Sequence, residues 1–163
     1  MGAGKSTVGR RLARRLNRKF IDMDRDLSTA TGRSITALFD RDGEAAFRLR
    51  ESALLKQLAA RRDGPVVATG GGIVLAAANR RLLARQFDCY WLDVSAAESW
   101  RRLRTATGRP LLLSGPGRTP LARLTRYARS RRPHYAAAGK RLIATGRSPD
   151  QIMERIVQRF PAG

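Results

Sequence analysis

Met1-Gly2-Ala3-Gly4-Lys5-Ser6-Thr7 opens the chain, and its reading decides the fold. Gly4-Lys5-Ser6 closes a phosphate-binding loop of the form G-x-x-x-x-G-K-[ST]. Glycines let backbone N–H groups close around phosphate oxygens, where a Cβ would block the approach. In such a loop Lys5 reaches the β- and γ-phosphates of a nucleotide and the Ser6 hydroxyl meets Mg²⁺. The helix beginning at Lys5 aims its positive end at the same anions. The pattern's first glycine falls two residues upstream of Met1. The strand that delivers such a loop falls there too, so the expectation is a sheet whose first strand is largely missing from this chain.

The rest of the chain sets the frame for that loop. Its 163 residues suit a single domain over 1–163, long enough to bury a core. No apolar run approaches the roughly 20 residues a membrane span needs, and no charged-then-apolar secretory leader is apparent. One cysteine, Cys89, excludes an internal disulfide framework and points to a reducing, cytoplasmic setting. The net charge of +20, from 33 basic and 13 acidic residues, favours anionic partners such as nucleotides and carboxylated metabolites. Aromatic residues make up 6% and do not interleave with the basic runs, which argues against a stacking platform for nucleic acid.

Residues 5–17 alternate Val8, Leu12, Ala13 and Leu16 with arginines, the pattern of an amphipathic helix. Lys19-Phe20-Ile21-Asp22-Met23-Asp24 reads as a short strand ending in two carboxylates. Alternate residues of a strand share a face, so the expectation is that Asp22 and Asp24 point the same way, towards a cation or a substrate donor. Asp24 as the cap of a helix from Arg25 is the other reading. Ser34 caps a short helix over 35–39, and Asp42-Gly43 leads into a long helix from Glu44 to about Arg62. Within it Arg48 and Glu51 stand three apart, and a surface ion pair is the default account of them.

Val66-Val67-Ala68-Thr69 reads as a buried strand running into Gly70-Gly71-Gly72, which implies close backbone approach by a ligand or a sharp turn. A helix over 75–87 and a strand over 89–94 follow, then a helix from Ala96 carrying Arg101, Arg102 and Arg104. Residues 105–120 are rich in Gly and Pro, and a loop of that length in a compact domain is more often functional than idle. Arg109 within it is a candidate for closing over a transferring phosphoryl group. Residues 119–138 are helical with an interruption at Arg131-Arg132-Pro133-His134-Tyr135. A last strand over 140–145 precedes a helix started by Ser148-Pro149. The alternation predicts a three-layer α/β/α fold around a parallel sheet, with ligand sites beyond the carboxyl ends of the strands.

Taken together, these motifs resemble the shikimate kinase family of phosphate-loop kinases. The carrying residues are Gly4-Lys5-Ser6-Thr7, Phe20 to Asp24, Gly43-Glu44 through Phe47-Arg48, Thr69 to Gly72, Arg109-Pro110-Leu111-Leu112, and Arg131-x-Pro-x-Tyr135. The resemblance implies ATP-dependent phosphorylation of the 3-hydroxyl of shikimate, with Mg²⁺ as cofactor and the enzyme a monomer. It implies ATP contacts from Gly2, Ala3, Gly4, Lys5, Ser6 and Thr7. Asp24 then binds the acceptor hydroxyl and takes its proton, while Asp22 holds the Mg²⁺ shell with Ser6. Arg48 and Arg131 grip the shikimate carboxylate, and Gly70, Gly71 and Gly72 line the pocket. Arg109 is the lid arginine, Arg102 stacks on adenine, and Arg147 belongs to a second adenine-side segment. The substrate-binding segment spans about 22–62 and the lid about 104–119. Another small-acid kinase of this fold, such as gluconate kinase, is the neighbouring alternative. A basic polyanion binder and an inactive truncated remnant are those of a different class.

Overall fold

The computed structural model describes residues 2–103 and 119–160. Helix α1 (Lys5–Arg15) leads to strand β1 (Phe20–Asp22), helix α2 (Met23–Thr31) and helix α3 (Ile35–Ala59). Strand β2 (Val66–Ala68) and a 3₁₀ turn (Ile73–Leu75) precede α4 (Ala77–Gln86), β3 (Tyr90–Asp93) and α5 (Ala96–Leu103). Helix α6 (Pro120–Ala138), β4 (Lys140–Ile143) and α7 (Pro149–Val157) complete the described chain. All pairing among the described residues is parallel. Asp22 stands opposite Ala68 in the pair β1–β2, and Asp93 opposite Ile143 in the pair β3–β4. Among the described residues β2 and β3 do not pair with each other. Val66, Ala68, Tyr90 and Leu92 instead line a cavity of about 270 Å³ between the pairs.

Alternation along each strand builds the three layers. Val66, Tyr90 and Leu92 pack on one side against Val8 and Leu12 of α1 and Ile152, Met153 and Ile156 of α7. Ile21, Val67 and Cys89 pack on the other, against Met23, Leu55, Leu58, Leu83 and Ala138. Burial pushes the Cys89 thiol up to about 11, as expected of a small core side chain rather than a reactive one.

The strand–helix junction after β1 differs from the expectation of a shared strand face. The strand ends at Asp22, whose carboxylate caps α2 by accepting from the Arg25 amide at 3.5 Å. Met23 is fully buried and pins the junction, which leaves Asp24 in the first turn of the helix. Burial of Met23 outweighs continuation of the strand, and Asp24 belongs to the helix rather than to the strand. Ser34 caps α3 as expected, and Gly43 (φ 79°, ψ 165°) divides that helix where the sequence places a break. Helix α6 runs unbroken through Pro133, contrary to the expected interruption. Pro133 and Arg129 both lie exposed, so the carbonyl left without an amide partner faces water.

Helix α7 carries a full capping box between Ser148 and Gln151. Ser148→Ala is expected to cost about 1 kcal/mol and lower the thermal midpoint by roughly 2–4 °C. An unchanged midpoint in a thermal melt would show that the box contributes nothing.

Candidate active site

The phosphate side is built at the start of α1. Gly4 is its N-cap in the left-handed region (φ 83°), and it offers no side chain to the first-turn amides. No acidic residue stands in that turn, so the positive end of the helix is not offset. Ser6 donates its hydroxyl to Asp22 Oδ2 at 2.5 Å, which joins the loop to the end of β1. Among the described residues no group of three or more His, Cys, Asp or Glu could hold a metal. Ser6 and Asp22 do present two hard oxygens side by side. That donor set fits Mg²⁺, which keeps waters and takes its other ligands from substrate phosphates.

The acceptor side is organised by the three glycines that follow β2. A Cβ on Gly70 would stand 2.5 Å from Glu51 Oε1 and 3.1 Å from Asp24 Oδ1. One on Gly71 would stand 3.2 Å from the Tyr135 hydroxyl and 3.8 Å from Arg131 Nη1. One on Gly72 would stand 2.3 Å from Arg48 Cζ. Each missing side chain is thus the space that a functional group occupies. The triplet brings Asp24, Arg48 and Arg131 together from three helices. A cavity of about 390 Å³ runs from Ala3 and Lys5 to Gly70, Gly71 and Arg131, so the phosphate loop and this part of the acceptor side open on one space.

Arg48 is held on every side. It donates to Glu51 Oε2 at 2.7 Å and to Glu44 Oε1 at 3.0 and 3.2 Å, and its guanidinium lies 5.6 and 5.3 Å from the Phe39 and Phe47 rings. Arg131 lies 5.1 Å over the Tyr127 ring, one turn earlier on the same face of α6. Buried Asn79 donates to Ser52 Oγ at 2.9 Å and to the Ile73 carbonyl at 3.1 Å, and so locks the turn after the glycines onto α3.

Glu51 is not the surface partner that its spacing suggests. It is 1% exposed, and Oε1 has no hydrogen-bond partner while Oε2 accepts from Arg48. Burial pushes its carboxyl above the ordinary value of 4.5, against the pull of Arg48, and nearby Asp24 adds to the rise. The sequence signal was present only as the i,i+3 pair.

On the nucleotide side, Arg102 donates to the Gly2 carbonyl at 3.3 Å and pairs with Glu98. Glu98 also accepts from the Gly146 amide at 2.9 Å, linking Arg102 to the segment that carries Arg147. Arg147 itself is turned to the Ile143 carbonyl at 2.6 Å. Thr7 is exposed at the loop's end. Arg109 and residues 104–118 of the expected lid lie outside the described residues, whereas Thr119 caps α6. Glu51, Asn79 and Glu98 were not marked as site residues by their sequence context, because each acts through a partner remote in the chain or on burial.

The family model for shikimate kinase matches residues 1–161. The shikimate kinase of Synechococcus sp. (strain RCC307) is 46% identical over 162 residues, covering 99% of this chain and 80% of that protein. That of Symbiobacterium thermophilum is 42% identical over 169 residues, covering 100% of this chain and 95% of that protein. Among solved structures, the shikimate kinase from Acinetobacter baumannii in complex with shikimate superposes with a TM-score of 0.89 at 34% identity, over 98% of this chain and 87% of that one. The enzyme from Aquifex aeolicus gives 0.81 at 28% identity, over 97% and 90%.

A carboxyl whose folded pKa is raised favours the folded state below its unfolded value, and that contribution fades as pH rises through the folded value. Glu51 therefore makes the wild type relatively more stable near pH 4.5 than at neutrality. The melting temperature of Glu51→Gln minus that of wild type is expected to grow more positive from pH 4.5 to 7. A difference that is flat or falls with pH would contradict the raised carboxyl.

Proposed function

The chain belongs to the shikimate kinase family, and we propose that it transfers the γ-phosphoryl group of ATP to the 3-hydroxyl of shikimate, giving shikimate 3-phosphate and ADP. The observation that carries this reading is the glycine triplet, which draws one carboxylate and two arginines together, while Gly70, Gly71 and Arg131 line a cavity that also reaches Lys5 of the phosphate loop.

Phosphoryl transfer asks a protein for positioning and charge neutralisation more than for covalent chemistry. In this reading the loop from Gly2 to Thr7 cradles the phosphates and Lys5 neutralises charge that grows on the transferring group. Ser6 and Asp22 would hold Mg²⁺, which would supply positive charge against the phosphates. Arg48 and Arg131 receive the shikimate carboxylate, a task suited to forked guanidinium donors. Arg48 is set between two rings and two carboxylates, and Arg131 over the Tyr127 ring, which limits the entropy lost on binding. Asp24 accepts the proton of the 3-hydroxyl as its oxygen bonds to the γ-phosphorus. The bond from that phosphorus to the bridging oxygen breaks, and ADP leaves. Arg102 and Arg147 attend the adenine, and Arg109 on the 104–119 lid closes over the phosphates. The substrate segment spans residues 22–62, and the enzyme acts as a cytoplasmic monomer. No helix among the described residues is long and apolar enough to cross a membrane.

The test is ADP release with and without shikimate. Turnover that depends on shikimate is expected, falling by about 10²–10⁴-fold in Asp24→Asn and comparably in Lys5→Met. No shikimate-dependent ADP release, or full turnover in Asp24→Asn, would refute the assignment.

A further inference from the structure

Tyr135 has no part in the roles above, yet its hydroxyl is aimed into the acceptor side. It donates to the Gly71 carbonyl at 2.8 Å, the oxygen that Arg131 Nη1 reaches at 3.5 Å. Its ring stacks on Trp91 of β3, with centroids 5.7 Å apart and planes 20° apart. Trp91 is itself flanked by the guanidinium groups of Arg132 and Arg141 at 5.9 and 5.8 Å. The ring thus rests on one strand pair while the hydroxyl grips the loop leaving the other. Since β2 and β3 do not pair among the described residues, this contact fixes the glycine loop relative to β3.

We propose that Tyr135 is a positioning residue for the acceptor pocket. Its hydroxyl holds the Gly71 carbonyl and thereby sets the Gly70–Gly72 backbone and the Arg131 guanidinium for the shikimate carboxylate. The inference rests on the kinase reading given above.

Three physical points carry it. The carbonyl of Gly71 and the amide of Gly72 share one rigid peptide plane, so a bond that fixes the oxygen also fixes where the Gly72 N–H points. A glycine has no side chain to resist rotation of that plane, so an external tether matters more here than at other residues. Tyr135 and Arg131 lie one turn apart on α6 and converge on one oxygen, so the arginine's reach is set against the same anchor. Burial pushes the Tyr135 hydroxyl above its ordinary range, which keeps it a donor across working pH.

The experiment compares steady-state kinetics of the unmodified chain, Tyr135→Phe, Gly71→Ala and the double variant, each with a melting curve. Tyr135→Phe removes one oxygen and keeps the ring on Trp91. It is expected to raise the KM for shikimate by about three- to tenfold, with the KM for ATP unchanged and the melting temperature within a few degrees of wild type. Gly71 is not in the left-handed region, so alanine is allowed there by the backbone, and its Cβ meets the hydroxyl at 3.2 Å. Gly71→Ala should therefore raise the same KM, and less so once the hydroxyl is gone, giving a combined effect smaller than the product of the two. An unchanged KM for shikimate in Tyr135→Phe overturns the proposal. So does a parallel rise for both substrates, a collapse of the melting temperature, or effects that simply multiply. Absence of shikimate-dependent turnover in the unmodified chain would overturn the kinase reading, and this proposal with it.

Discussion

Everything at the acceptor side depends on three missing Cβ atoms. Strand β2 ends at Ala68, and Gly70 to Gly72 then turn beneath side chains drawn from α2, α3 and α6. Steric exclusion dominates here, because distances of 2.3–2.5 Å from a Cβ to Arg48 or Glu51 are far inside van der Waals contact. Any other residue at 70 or 72 would have to displace a buried carboxylate or a guanidinium held by two carboxylates. Chain flexibility is not the reason for glycine at position 72, whose φ of −91° is open to all residues.

A second constraint is electrostatic. Glu51 is buried beside Asp24, and its charge is offset by the hydrogen-bonded Arg48 and, less strongly, by Arg131. An ion pair of this kind contributes little net stability, since desolvation offsets much of the attraction. It does fix the guanidinium in one place. The same arginine is stacked on two phenylalanine rings that themselves pack 4.6 Å apart, so its setting comes from the core of the α2–α3 lobe. Stability is traded for placement, as is usual where strain and charge gather at functional sites.

The fold was largely legible in the sequence because its signals are local. Apolar spacing marks α1 and α7, Ser34 and Ser148 mark helix starts, and Gly43 marks a break; the structure keeps each of them. The site was legible as motifs but not as geometry. Asp22 and Asp24 appear as a strand pair until the burial of Met23 is known, which no spacing rule reveals. Glu51 appears as a surface partner because its spacing to Arg48 is visible and the glycine turn that covers it is not. Tyr135 meets Gly71 and Glu98 meets Gly146 across long stretches of chain, contacts that only the assembled layers create.

The central claim is that the absent side chains of the glycine triplet are the space in which the acceptor-binding groups stand. Gly72→Ala tests it most directly, since the backbone there accepts alanine and only the contact with Arg48 forbids it. Shikimate titrated into the variant and the unmodified chain should bind on the order of 10²-fold more weakly in the variant, with ATP binding unchanged. Equal shikimate affinity in the two proteins would contradict the account.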